Sequence, residues 1–365
     1  MRTPRHKIVV SVVGVLAAAL LAGCGRPADD NAGAGQAAPA AGTRTITDST
    51  GTAVTVPDTV SRIADAWPAH NEVVQMLGAG DRIVATVLTH ESTPWLYTVQ
   101  PSLDNAATVF TTSTVSTEKL IQARPDVLFS DKSTQIGAST SELGIPTVQL
   151  GFQTYDDLKK MVATTADVLG SDARAQAEAY TSYLDDKLTA VTSATSSIPE
   201  AQRPSVLHIY SLDPLVVDGT GSIIDAWITA AGGRNAAQVA GNARPVSTEQ
   251  VSQWNPDVII LASSAFVGND TGAQTLQKLT DDPFWSRMAA VRDRKAYINP
   301  TGGWHWDRYG IEEALQVQWA AKTLHPELFP DLDMAAETKS FYSRFLHFTL
   351  TDDQANRIIA GQDPA

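Results

Sequence analysis

A thirteen-residue segment occurs twice in the chain, and this repeat constrains the fold more than any other sequence feature. Val115–Val127 reads VSTEKLIQARPDV and recurs over Val246–Val258 as VSTEQVSQWNPDV, with eight identical positions at an offset of 131. In each copy a Ser-Thr pair followed by Glu is typical of a helix N-terminus, and Pro ends the helix about two turns later. An Asp and an apolar run then begin a buried strand. Two such copies predict two lobes with the same topology.

Strands alternate with helices in both halves, which is typical of parallel α/β sheets. In the first half a predicted strand at Arg62–Trp67 precedes a helix at Glu72–Leu77. In the second half a predicted strand at Ser205–Tyr210 is followed by a helix at Ile223–Ala231. We therefore expect an α/β protein with two Rossmann-like lobes.

A long helical segment separates the two halves and predicts a rigid connection. One helix is expected from Asp156 to Leu169, and a second from Ser171 to about Ser197. About 27 residues at 1.5 Å each give the second helix a length of roughly 40 Å. We therefore divide the chain into an N-terminal lobe (44–155), a helical linker (156–199) and a C-terminal lobe with C-terminal helices (200–365).

The first 23 residues have the pattern of a lipoprotein signal peptide. Arg2, Arg5 and Lys7 precede the apolar stretch Ile8–Ala22, which is shorter than the roughly 20 residues that a membrane-spanning helix needs. The stretch ends in LAGC and resembles a bacterial lipobox, so Cys24 is expected to carry lipid. A secreted protein without lipid is the alternative. Cys24 is the only cysteine, which excludes an intramolecular disulfide framework.

Net charge excludes one class of protein, and the composition of one segment predicts a tether. The 40 acidic and 27 basic side chains give a net charge of −13, and cleavage before Cys24 removes three basic residues and leaves −16. Such a charge argues against nucleic-acid binding, which needs clustered Lys and Arg. Residues 24–43 are rich in Ala, Gly and Pro, which predicts a flexible tether. We expect a protein anchored by lipid to the outer face of the cytoplasmic membrane.

A set of short segments, taken in order, is similar to a known family. The segments are Arg62–Thr86, Thr117–Leu128, Leu143–Thr147, Ala231–Asn235, Glu249–Leu261 and Asp282–Tyr297. Together they resemble the substrate-binding lipoproteins of iron-siderophore, haem and cobalamin ABC importers, the helix-linked class III periplasmic binding proteins. This resemblance implies two lobes joined by one rigid helix and no enzymatic activity. It also implies a monomer without an intrinsic cofactor, which works with an ABC permease and ATPase in the cytoplasmic membrane.

The resemblance gives the repeat a possible function. In this family a Glu on each lobe docks to Arg residues of the permease, and the matching positions here are Glu118 and Glu249. A carboxylate on each lobe would form a two-point charged contact that sets orientation. The alternative is that each Glu only stabilises the first turn of its own helix.

Ligand contacts are expected in the loops at the carboxyl ends of the strands. These loops are rich in aromatic residues, which suit a bulky and partly apolar ligand; packing within the core or between lobes is the alternative. The candidate ligand-binding residues are Trp67, His70, His90, Trp95, Tyr97, Tyr210, Phe266, Trp304, His305, Trp306, Arg308 and Tyr309.

The histidines and charged residues of these loops indicate whether the ligand contains a metal and what charge it carries. His70, His90 and His305 could contact a metal, although none shows the spacing of a compact metal motif. Because the loops hold few cations, mainly Lys132 and Arg308, a strongly anionic catecholate complex is disfavoured. We expect a chelated metal, with a ferric hydroxamate siderophore favoured over haem, a corrinoid such as cobalamin, or a nickel chelate. Arg308 would be the first partner of any ligand carboxylate.

Two other classes of protein remain as alternatives. A surface hydrolase could use a Ser with His305 and Asp307, but the sequence has neither a Gly-x-Ser-x-Gly elbow nor a Gly-rich phosphate loop. A receptor for bare nickel, zinc or manganese ions would need three or four protein ligands from the same loops.

Overall fold

The computed structural model describes residues 42–111, 114–262 and 271–365. The predicted signal peptide, Cys24, nearly all of the tether and Phe266 lie outside the described residues. Within the described ranges, no helix combines the length and the apolar character needed to cross a membrane.

The N-terminal lobe is built on a five-stranded parallel sheet with the order β5-β4-β3-β6-β7. An antiparallel hairpin precedes it, formed by β1 (Thr43–Thr47) and β2 (Ala53–Pro57). The sheet strands are β3 (Ile63–Asp65), β4 (Ile83–Thr86), β5 (Ala107–Thr108), β6 (Val127–Asp131) and β7 (Thr147–Leu150). The helices of this lobe are α1 (His70–Met76), α2 (Pro94–Val99), α3 (Thr117–Ala123) and α4 (Ile136–Thr140).

Two helices follow the first sheet, α5 (Tyr155–Leu169) and α6 (Ser171–Thr195). Gly170 separates them with a φ of +112°, a value that glycine adopts without steric cost. The 25 residues of α6 give it a length of roughly 37 Å.

The C-terminal lobe has a six-stranded sheet with the order β11-β9-β8-β12-β13, and β10 pairs with the start of β8. The strands are β8 (Ser205–Leu212), β9 (Leu215–Val217), β10 (Arg234–Asn235), β11 (Arg244–Pro245), β12 (Val258–Leu261) and β13 (Ala296–Ile298). The helices are α7 (Ile223–Ala230), α8 (Thr248–Trp254), α9 (Gly272–Asp281), α10 (Ala289–Arg292), α11 (Glu313–Leu324), α12 (Met334–Phe345) and α13 (Asp352–Ile359). The parallel strands confirm the predicted α/β class, while β9 and β11 add an antiparallel edge that the sequence analysis did not predict.

The two copies of the repeat occupy equivalent positions in the two lobes. They form α3–β6 and α8–β12, and β6 and β12 each lie beside the first sheet strand of their lobe. The Asp of each copy holds the start of that neighbouring strand. Asp126 accepts hydrogen bonds from the backbone N–H groups of Ser61 and Arg62 at 2.8 and 2.9 Å, and Asp257 accepts one from that of Ser205 at 2.7 Å.

One continuous apolar core joins the two lobes and α6. Tyr180, Leu184 and Val191 of α6 are buried in it, and Leu188 is half-buried. The Tyr180 hydroxyl donates a hydrogen bond of 2.9 Å to the carbonyl of Ile311, in the second lobe. The connecting helix is therefore an internal part of the core and not only a strut between two separate bodies.

The repeat generates a prediction about stability. Arg124 and Asn255, equivalent in the two copies, end α3 and α8 with φ values of +44° and +41°, a left-handed conformation that costs a non-glycine residue about 1–2 kcal/mol. We expect Arg124→Gly to raise the free energy of unfolding by about 1 kcal/mol, and Asn255→Gly by less, because Asn tolerates this conformation better. Urea unfolding measures both changes. Lys119→Gly, on the exposed surface of α3, is the control and should destabilise by about 1 kcal/mol; destabilisation by Arg124→Gly would contradict the assignment.

Candidate ligand-binding site

Loops from the carboxyl ends of strands in both lobes meet around a cavity of about 610 Å³. The N-terminal lobe contributes residues 91–95, which follow β4, and the C-terminal lobe contributes 271–273 and 301–305, which follow β12 and β13. Arg357 in the last turn of α13 and residues 360–363, which follow that helix, complete the wall. A cleft of this size at the strand ends is typical of a site for a drug-sized ligand.

Three of the predicted ligand-binding residues line this cavity: Trp95, Trp304 and His305. Trp95 is buried and donates from Nε1 to the carbonyl of Gln362 at 2.8 Å. The rings of Trp304 and His305 are 4.7 Å apart, and Trp304 Nε1 has no hydrogen-bond partner among the described residues. Burial lowers the pKa of His305. The wall therefore presents aromatic surface and a neutral imidazole.

A second group of predicted residues forms a contact between the lobes. Tyr309, from the C-terminal lobe, packs against Trp67 and Phe152 of the N-terminal lobe, with ring centroids 6.2 and 5.6 Å away. Tyr309 has a φ of +65°, and its hydroxyl accepts a hydrogen bond from Asn242 Nδ2. Trp67 and Tyr309 therefore cover each other at the lobe interface.

The structure corrects the assignment of His70 as a ligand-binding residue. The side chain is fully buried, with Nδ1 2.7 Å from Asp65 Oδ2 and Nε2 2.8 Å from Thr165 Oγ1. These contacts tie α1 to β3 and α5, and they leave neither ring nitrogen for a ligand.

Three more of the predicted ligand-binding residues contact other residues of the protein. His90 is exposed, with Nε2 2.6 Å from Asp104 Oδ1 and its ring centroid 4.0 Å from that of Tyr97. The Tyr97 hydroxyl donates to the carbonyl of Leu88 at 3.1 Å. Trp306 is fully buried and donates from Nε1 to Glu312 at 2.8 Å.

The possible metal ligands do not form a metal centre. In the described parts of the chain, no group of three or more His, Cys, Asp or Glu side chains is arranged to hold a metal ion. His70, His90 and His305 therefore do not make one together.

Arg308 belongs to a buried cluster of four charged side chains. Its Nη2 lies 2.9 Å from Asp218 Oδ2 and 3.0 Å from Asp307 Oδ2. His208 contacts the same two carboxylates, with Nδ1 2.9 Å from Asp218 and Nε2 2.9 Å from Asp307. The Arg308 guanidinium also lies 4.7 Å from the centre of the Tyr210 ring.

The charges within this cluster compensate one another. Burial by itself would raise the pKa of Asp218, but Arg308 and His208 lower it to about 2. The same two cations hold the pKa of Asp307 below its usual range. Burial would lower the pKa of His208, but hydrogen bonds to the two carboxylates outweigh burial and raise it. The cluster thus contains two cations and two anions.

This balance corrects the expected role of Arg308. Both carboxylates that face it are already ionised, so its charge is neutralised within the protein and it is not available as the first partner of a ligand carboxylate. Asp218 was missed by the sequence analysis. The only local signal for it is an Asp directly after the apolar strand β9.

The cluster predicts how stability depends on acid. Because the pKa of Asp218 is depressed, its contribution is present above about pH 3.8 and lost as the pH falls towards 2. We expect Asp218→Asn to lower the free energy of unfolding by about 3–5 kcal/mol at pH 7, since it leaves Arg308 and His208 with one carboxylate. Urea unfolding at pH 7 and pH 3 should show this loss shrinking in acid. Asp186→Asn, on the exposed surface of α6, should change stability by less than about 0.5 kcal/mol; an equal effect of both substitutions would contradict the assignment.

The chain is similar to several known proteins over most of its length. Molybdate-binding protein MolA of Haemophilus influenzae is 24% identical over 342 residues, which cover 86% of this chain and 94% of MolA. YvrC of Bacillus subtilis, an uncharacterized ABC transporter substrate-binding lipoprotein, is 22% identical over 325 residues, covering 87% of this chain and 96% of YvrC. Among solved structures, a periplasmic solute binding protein from Veillonella parvula has a TM-score of 0.74 at 28% identity, covering 87% of this chain and 97% of that one.

The family assignment rests on a match that includes both lobes. Residues 63–301 match the family described as periplasmic binding protein, from β3 to the loop that lines the cavity. The match confirms the resemblance noted in the sequence. The chain belongs to the periplasmic binding protein family.

Proposed function

We propose that this protein captures a bulky metal chelate between its lobes, a ferric hydroxamate siderophore in the first instance, and delivers it to an ABC permease. The observation that carries the proposal is the interlobe cavity of about 610 Å³, flanked by Trp95 and Trp304. Aromatic walls bind large ligands of mixed polarity through apolar area while their polar edges remain available for hydrogen bonds. No chemical conversion of the ligand is part of this role.

Charge supports a ligand that is not strongly anionic. Among the described residues, the charged side chains that line the cavity are the acids Glu91 and Asp363 and one arginine, Arg357. Arg357 already donates from Nε to the carbonyl of Asp363 at 2.8 Å, and Arg308 is neutralised by Asp218 and Asp307. A neutral or cationic chelate, such as a ferric trihydroxamate, fits this balance better than a tris-catecholate does.

The relationship with MolA favours molybdate as a second candidate. MolA is a molybdate-binding protein, and such relatives can share ligand class. Against this, a tetrahedral oxyanion would occupy only a small part of a cavity of this size, and the described lining contains a single arginine and no lysine. Haem, a corrinoid and a nickel chelate remain alternative ligands within the same proposal.

The proposed location is the outer face of the cytoplasmic membrane, with Cys24 as the lipid-bearing residue. The lipobox sequence supports this proposal, and the relative YvrC is described as a lipoprotein. A lipid anchor would keep the loaded protein close to its permease.

The proposed permease contacts are Glu118 and Glu249. Both side chains are exposed in the first turns of α3 and α8, the equivalent helices of the two lobes. Ile121, also on α3, is 55% exposed. An acid on each lobe with one exposed apolar side chain beside it is suited to a protein contact with a defined orientation.

The ligand proposal is tested by titration of the intrinsic tryptophan fluorescence. We expect ferrioxamine B, a ferric trihydroxamate, to quench the fluorescence, and Trp304→Ala to weaken binding about tenfold through loss of aromatic contact. Trp254→Ala, which removes a tryptophan outside the cavity lining, is the control. Haem, cyanocobalamin, nickel–histidine and molybdate complete the panel. If molybdate changed the fluorescence and ferrioxamine B did not, the proposed ligand would be molybdate and not a metal chelate.

The docking proposal is tested by separating binding from transport. The double variant Glu118→Ala/Glu249→Ala should bind the ligand as the wild type does, but cells carrying it should take up the ligand about tenfold more slowly, since both charged contacts are lost. The control is Glu142→Ala/Glu178→Ala, which removes two exposed acids outside the repeat. Normal uptake by the first double variant would eliminate these residues as docking contacts.

A further inference from the structure

Glu72 extends from the N-terminal lobe into the C-terminal lobe. It lies on α1, is fully buried, and accepts a hydrogen bond of 3.2 Å at Oε2 from the backbone N–H of Ile311. The opposite lobe packs tightly around its carboxyl group. A Cβ atom added to Gly303 would lie 2.6 Å from Oε1, and one added to Gly310 would lie 2.9 Å from Oε2. Because Gly303 and Gly310 have no side chain, they leave the space that the Glu72 carboxyl group occupies.

A second carboxyl group, that of Glu312, faces Glu72 from the C-terminal lobe. Glu312 accepts three hydrogen bonds: from the Tyr342 hydroxyl at 2.6 Å, Trp306 Nε1 at 2.8 Å and the backbone N–H of Trp304 at 2.9 Å. Three donors stabilise a carboxylate. Glu312 is therefore the member of the pair that is suited to carry the negative charge.

Glu72 is the member suited to carry a proton. No hydrogen-bond donor within the described residues reaches its Oε1. Burial and the neighbouring Glu312 raise the pKa of Glu72 well above its usual value. The other titratable groups that face it are the phenols of Tyr342 on α12 and Tyr180 on α6, which cannot neutralise a second anion. Two carboxyl groups that share one buried site cannot both ionise.

We propose that Glu72 and Glu312 share one proton across the lobe interface, and that this protonated pair positions residues 302–311. That segment carries Trp304 and His305 of the cavity wall. Glu72 is therefore a positioning residue, which acts on the cavity from the opposite lobe. The consequence for ligand binding rests on the proposed function, whereas the shared proton does not.

The direction of the pH dependence follows from the raised pKa. The folded protein binds a proton that the unfolded chain releases above about pH 4.5. The contribution of the pair is thus fully present below that pH and is lost as the pH rises towards the pKa of the folded state. Raising the pH should loosen the contact between α1 and residues 302–311.

The test compares the wild type with Glu72→Gln, which keeps the shape of the protonated acid but cannot ionise. Above pH 4.5 the unfolding equilibrium constant of the wild type, relative to that of Glu72→Gln, should rise by up to about tenfold per pH unit before it levels off. Glu178→Gln, an exposed substitution on α6, should retain the wild-type pH profile. The comparison is needed because Glu313 is also buried and its pKa is also raised. Its titration contributes equally to the pH dependence of stability in both proteins.

Amide hydrogen exchange supplies the local readout. The N–H groups of Gly303, Trp304 and Ile311 donate to Tyr342, Glu312 and Glu72. Their protection factors should fall with rising pH in the wild type and stay constant in Glu72→Gln. Identical pH profiles of stability and protection in the two proteins would overturn the proposal.

A second variant keeps the proposal testable if Glu72→Gln does not fold. Glu312→Gln removes the negative charge that faces Glu72, so the pH-dependent loss of stability should be smaller than in the wild type. An undiminished loss would overturn the proposal that the two residues share a proton. Neither measurement uses a ligand. A failed ligand titration therefore leaves this inference standing, and a failed pH comparison leaves the proposed function standing.

Discussion

The continuous apolar core along α6 is the constraint on which the rest of the structure depends. Side chains of both lobes pack on this helix, and the Tyr180–Ile311 hydrogen bond joins it to the loop before α11. Close-packed interiors resist deformation. Relative movement of the lobes must therefore be small or must occur in the loops, so the positions of the cavity walls are set largely by how those loops are held.

Buried polar networks hold the loops where the core ends. His70 joins α1 to β3 and α5, the Arg308 cluster joins the segment after β13 to β8 and β9, and Glu72 joins α1 to residues 302–311. Both ring nitrogens of His70 are paired, whereas Glu72 Oε1 and Asp307 Oδ1 have no hydrogen-bond partner among the described residues. The combined effect of the networks on function is indirect. Because His70, Arg308 and Glu72 are bound within these networks, the described wall of the cavity presents aromatic surface, the neutral imidazole of His305 and the charged residues Glu91, Arg357 and Asp363.

The sequence analysis succeeded where the signals are local. The helix N-terminal signals and the proline that follows α3 or α8 act within a few residues, and the thirteen-residue segment recurs at a fixed offset. The repeat therefore predicted equivalent units in two α/β lobes. The antiparallel edge of β9 and β11 has only short strands and was not predicted. The residues that contact the ligand were harder to predict. His70 and Arg308 looked like cleft residues because they follow predicted strands, but their partners Thr165 and Asp218 are 95 and 90 residues away in the chain.

By itself, then, the sequence determined the class of fold, the presence of two equivalent lobes and the family, because capping, strand patterning and an internal repeat are properties of short segments. The tertiary structure alone decided which side chains of the loops face the cavity and which neutralise one another inside the protein. The physical reason is that burial and charge pairing depend on groups brought together from distant segments. Glu72 and Ile311, 239 residues apart, meet only when both lobes have closed on their common core.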